Sequence, residues 1–113
     1  MRKPIAGFVL AVVAVTVVAM PVFAAVPKVT GTVGPGFTIS MAKKPTKAGK
    51  YTLVVSDRSN EHNFHLKGPG RVNVKTGVAF TGTKTFAIKV VKGKYSFVCD
   101  PHASTMKGSF TIK

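Results

Sequence analysis

The sequence predicts an all-β fold, a Greek-key β-sandwich or barrel built as one small domain. Three observations point there. Apolar residues alternate with polar ones in short runs, as in Phe37, Ile39 and Met41 or Tyr95, Phe97 and Cys99, the pattern of half-buried strands. Clusters of Gly, Pro, Asn, Asp and Ser separate these runs at short intervals, which is the turn spacing of sandwiches and barrels. Beyond residue 25 no stretch carries a 3.6-residue apolar repeat.

Taken in order, the chain opens on Arg2 and Lys3, then an apolar run from Ile5 to Met20, then Pro21-Val22-Phe23-Ala24-Ala25. A positive head, an apolar segment and a small-residue exit read as a secretory signal peptide over residues 1–24. Cleavage after Ala24 would export the remainder to a periplasmic, extracellular or cell-surface location. The alternative is an uncleaved anchor, but a run of this length falls short of the roughly 20 apolar residues of a membrane-spanning helix. Residues 25–35 are broken by Pro27, Gly31, Gly34 and Pro35 and read as a flexible lead-in. The domain is expected over 36–113.

Its first strand is the Phe37–Met41 alternation, followed by a polar connection through Pro45 and Gly49. Tyr51, Leu53 and Val55 open the second strand, which stops at Ser56-Asp-Arg-Ser-Asn60. Glu61–Leu66 reads as the third, ended by Gly68-Pro69-Gly70. A short piece from Arg71 to Val74 follows, then the long extended segment Phe80–Val91. Lys92-Gly93 turns the chain into Tyr95–Cys99, and Phe110 and Ile112 mark a closing strand. Six to eight strands are expected.

Charge narrows the partners. Fifteen of the 17 Lys and Arg residues and all three acids (Asp57, Glu61, Asp100) lie beyond residue 24, leaving this part at net +12. Such a surface favours anionic partners: a redox protein with an acidic face, or an anionic membrane or cell-wall surface. The plainer reading is that the lysines only solvate a small exported domain. No basic-aromatic motif of a nucleic-acid reader is present, so nucleic acid is not expected as a partner. A monomer is expected.

The cysteine count is the sharpest constraint. Small exported domains often depend on disulfides, yet Cys99 is the only cysteine. A lone cysteine in such a chain is a reactive liability, half of an intermolecular bridge, or a ligand. Here Cys99, His102 and Met106 follow the spacing C-x2-H-x3-M directly after an alternating strand. A thiolate, an imidazole and a thioether crowded into one turn suit copper, and a trigonal set of two histidines and one cysteine with a long axial Met is the blue-copper arrangement. The second histidine must come from a non-local pairing. If 61–66 is a strand, His62, Phe64 and Leu66 share one face and Asn63 and His65 the other. That places His62 on the core side, with His65 a surface or edge histidine and the alternative ligand. Structural zinc would ask for four Cys or His ligands in paired spacing, and C-x2-C is absent. Nucleophilic catalysis by Cys99 is disfavoured by the scarcity of acids to orient a base, so the chain is not expected to be an enzyme.

The runs Ser-Asn-Glu-His62-Asn63-Phe64 and Tyr-Ser-Phe-Val-Cys99-Asp-Pro-His102, with Met106-Lys-Gly108 in the closing strand, resemble the cupredoxins. The plastocyanin and amicyanin branch is nearest, over roughly residues 36–113. The resemblance implies His62, Cys99 and His102 as equatorial copper ligands and Met106 as the axial one. It also implies that Asn63 ties the two ligand loops together by hydrogen bonds and that His102 is the electron port, through an apolar surface patch. The Cys–His–Met spacing is one residue shorter than in plastocyanins and one longer than in amicyanins, and His65 is outside the usual pattern. The function expected is an exported type 1 copper protein carrying single electrons. The alternatives are a copper carrier or scavenger, and a surface-binding domain in which copper is incidental.

Overall fold

The computed structural model describes residues 25–113; the proposed signal peptide over 1–24 lies outside the described residues. Eight strands follow in order: β1 (Lys28–Val33), β2 (Ile39–Lys43), β3 (Gly49–Asp57), β4 (His65–Gly68), β5 (Val72–Lys75), β6 (Gly82–Val90), β7 (Gly93–Val98) and β8 (Lys107–Ile112). One 3₁₀ turn, Asp100–His102, lies between the last two.

They form two four-stranded sheets, ordered β2-β1-β3-β6 and β5-β4-β7-β8. Every pairing is antiparallel except β1 with β3, which run parallel from Lys28↔Thr52 to Val33↔Asp57. Alternation decides the facing. Along β3, Tyr51, Leu53, Val55 and Asp57 are buried while the residues between them are not. On β7, Tyr95 and Phe97 are buried in the same rhythm, because successive side chains leave a strand on opposite faces. The inward residues of both sheets make one core with Val29, Val33, Phe64, Leu66 and Ile112 at its centre.

Two aromatic stacks organise that core. Phe64 lies on Phe97 at 5.7 Å between ring centroids, and Tyr95 on Phe110 at 5.1 Å. Each buried ring needs room from a neighbouring backbone. A Cβ at Gly31 would stand 2.6 Å from the Phe64 ring, and one at Gly108 would collide with Phe97. The Tyr95 hydroxyl, though buried, accepts from Val91 N at 2.8 Å and faces the Pro69 carbonyl at 3.0 Å, so its burial leaves no polar atom orphaned.

The flexible lead-in expected over 25–35 is corrected over 28–33. Those residues are β1, a strand inside the first sheet, with Val29 and Val33 fully buried. Val29, Gly31 and Val33 do alternate with Thr30 and Thr32, but flanking Pro and Gly residues mask the period. Ladder bonds to both β2 and β3 override that local signal. A second difference concerns Phe37, which precedes β2 and is 69% exposed, whereas Met41 is buried as its alternation predicts. Thirdly, residues 62–64 are not strand; β4 begins only at His65.

Candidate metal centre

Cys99 continues the inward rhythm of Tyr95 and Phe97 one residue beyond the end of β7 and is fully buried. The loop that follows is closed on itself. Cys99 N donates to the Met106 carbonyl at 3.0 Å, His102 N to the Cys99 carbonyl at 3.0 Å, and Met106 N to the His102 carbonyl at 2.8 Å. Pro101 at the start of the 3₁₀ turn presets its φ for that geometry. Below the loop the β7–β8 ladder ends at Val98↔Lys107, so the turn is pinned at its base and internally braced.

The segment carrying His62 is held differently. Asp57, buried at the end of β3, accepts from Thr76 Oγ1 at 2.7 Å and from Ser59 N at 3.2 Å. Thr76 Oγ1 in turn accepts from Phe64 N at 2.9 Å, and Thr76 N donates to the Phe64 carbonyl at 2.9 Å. The loop between β3 and β4 is thus sewn to the residue just after β5, and His62 is left 2% exposed beside the cysteine.

Three donor atoms converge there. His62 Nδ1 lies 3.7 Å from Cys99 Sγ, His102 Nδ1 lies 3.6 Å from it, and the two Nδ1 atoms are 3.1 Å apart. These spacings can be tested against a metal. Bonds of about 2.0 Å to nitrogen and about 2.3 Å to sulfur, opened by about 120°, separate nitrogen from sulfur by about 3.7 Å. The nitrogen pair corresponds to an angle of about 100° at the same bond lengths. The donors therefore fit one ion in a trigonal set of two nitrogens and one sulfur, the chemistry of a thiolate with two imidazoles that suits copper. Met106 is buried at the closing end of the same loop.

Asn63 joins the two segments. Its backbone N–H points at Cys99 Sγ, 3.4 Å away. Its side-chain oxygen accepts from Asp100 N at 2.7 Å, while its Nδ2 donates to Asp100 Oδ2 at 2.8 Å and to the Thr76 carbonyl at 3.2 Å.

His65 is not a surface or edge histidine. It opens β4, an interior strand paired on both sides, and is 8% exposed. Its Nδ1 meets Asp100 Oδ1 at 2.8 Å and its Nε2 meets Asn73 Oδ1 at 2.6 Å. Opposite facing of His62 and His65 by parity needs a strand over 61–66, and the strand begins only at His65. In the loop that stands in its place, His62, Asn63 and Phe64 are all buried. Burial alone would raise the Asp100 carboxyl, but hydrogen bonds from His65 and Asn63, with the nearby charges of His65 and Lys75, outweigh it. The pKa is held below the ordinary 3.8.

Phe37 is the residue the sequence reading missed. Its ring lies edge-on to both His62 and His102, 5.0 Å from each centroid. No local pattern signals this, because the contact depends on β2 being placed beside the loops.

No protein-family model and no curated protein sequence matches the chain, whereas solved structures do. A reduced rusticyanin determined by NMR is 25% identical, with a TM-score of 0.54 and 76% of each chain covered. A crystal structure of the copper protein rusticyanin is 21% identical, with a TM-score of 0.57 over 76% of each chain. A dithionite-reduced auracyanin from Roseiflexus castenholzii is 18% identical, with a TM-score of 0.56 over 80% of this chain and 99% of that one. The two sheets, the braced Cys99–Met106 turn and these neighbours together show that the chain has the cupredoxin fold.

Proposed function

We propose that the protein is an exported type 1 copper protein that carries single electrons, with His62, Cys99 and His102 as equatorial ligands and Met106 as the axial one. The convergence of two imidazole nitrogens and one thiolate sulfur inside a braced β frame carries this reading. Bound copper would supply a one-electron couple between Cu(II) and Cu(I). The chain's part is to hold the donors still, so that little rearrangement accompanies the change of charge. The ladder under Cys99, the bonds within its turn and the Asp57–Thr76–Phe64 stitching do this from both sides.

Exposure supports a carrier rather than an enzyme. Cys99 and His62 are buried and His102 is half-buried, so the cluster meets solvent through the His102 imidazole. The exposed Phe37 ring beside that imidazole makes the surroundings apolar, a fit for brief contact with a redox protein. The lysines would steer a partner with an acidic face toward it. Burial of the thiolate also speaks against ready copper delivery.

The test is a visible spectrum of the protein titrated with Cu(II). An intense thiolate-to-copper band in the wild type, retained in His65→Asn and lost in His62→Ala and Cys99→Ser, is expected. A colourless wild type, or loss with His65→Asn but not with His62→Ala, refutes the ligand set.

A further inference from the structure

We propose that His65 is a positioning residue for the donor cluster, acting through Asp100 to hold the Cys99–His102 turn against the His62–Asn63 segment. The inference rests on the copper reading above, and names a part of the centre that the ligand set does not include.

The geometry is a relay of three side chains. Asn63 grips Asp100 twice, by accepting from its backbone N–H and by donating to Oδ2. That double contact fixes the Asn63 backbone, whose N–H faces Cys99 Sγ. The second carboxylate oxygen of Asp100 belongs to His65. An ionised carboxylate only accepts, so Nδ1 of His65 is the donor. Nε2 meets the Asn73 amide, which offers either its oxygen or its nitrogen by turning over, so Nδ1 donates in either charge state of the ring.

Where His65 sits gives the relay its stiffness. Its backbone pairs with Val98 on one side and Lys75 on the other, so it stands directly across the ladder from the residue preceding Cys99. The Asp100 side chain is 40% exposed, and without His65 one of its oxygens faces only water and Lys75. The carboxylate then swings, the grip on Asn63 loosens, and the N–H aimed at sulfur wanders. Partners of this kind beyond the ligands set the metal's affinity and potential as well as ligand orientation.

The experiment compares His65→Leu, which keeps bulk but loses the donor, with His65→Asn, whose Nδ2 stands where Nδ1 does. Copper affinity by chelator competition, reduction potential, and amide exchange at Asp100 in the metal-free protein are measured on each. His65→Leu is expected to lose about 10–100-fold in copper affinity. It should lower the potential, because a weaker hydrogen bond to sulfur favours the oxidised site, and speed exchange at Asp100. His65→Asn should recover most of all three. Wild-type values in His65→Leu, or equal losses in both variants, overturn the proposal, the second result assigning His65 to packing alone. Should His65→Leu not fold, His65→Val removes the same donor with a smaller side chain suited to a strand and is read against His65→Asn in the same way. A wild type with no blue band would fail the copper reading instead, and the metal-free exchange data would still decide whether His65 braces the turn.

Discussion

Replacing Asn63 by alanine removes three side-chain hydrogen bonds from a residue that is 2% exposed. The bonds with Asp100 N and the Thr76 carbonyl are neutral, each contributing about 1 kcal/mol net. The bond to Asp100 Oδ2 involves a charge, but that carboxylate is 40% exposed and water replaces part of the loss, leaving about 1 kcal/mol. Thr76 is fully buried, so its orphaned carbonyl adds a penalty of about 1 kcal/mol. The total is about 4 kcal/mol, a large fraction of the roughly 5–15 kcal/mol that holds a domain together. For a domain of this size the melting temperature should fall by roughly 16–32 °C. The assay is urea unfolding of the metal-free protein followed by far-UV circular dichroism, since the chain has no tryptophan. A drop in midpoint with an unchanged slope is expected. A loss below about 1 kcal/mol would show that water fills the gap, and that the two ligand segments hold together without Asn63.

Gly31→Ala places a Cβ 2.6 Å from the Phe64 ring and should cost about 1–3 kcal/mol by overpacking; a stability equal to wild type would show that the Phe64–Phe97 stack has slack. The Asp100 carboxyl is held below its ordinary value, so its contribution is full above the unfolded pKa and is lost as pH falls through the lower folded one. The stability difference between wild type and Asp100→Asn should therefore shrink as pH falls from the ordinary carboxylate value of 3.8 through the lower folded one, and a difference that grows over that range would refute the assignment. Electron exchange with an acidic redox protein should slow steeply with added salt, whereas a rate indifferent to ionic strength would show that the net positive charge of the chain does not steer the encounter.

The strands and the cysteine turn were legible without coordinates because both are local. Alternation along 51–55, 86–90 and 95–99 is dictated by which faces of a pleated chain meet water, and Cys99, His102 and Met106 are close in space because they are close in sequence. Non-local pairing decided the rest. β1 is a strand because β2 and β3 offer it ladder partners on both sides, despite a local sequence that reads as a break. His65 is buried because β5 and β7 flank it, and its Nδ1 finds Asp100 only across the β4–β7 pairing. Phe37, half of a promising alternation, is exposed against two imidazoles rather than in the core. Sequence by itself determined the donor types and one edge of the centre. The tertiary structure decided which histidine lies beside Cys99 and His102 and which polar groups hold that cluster, because hydrogen bonds between segments some 35 residues apart leave no periodic trace in the chain.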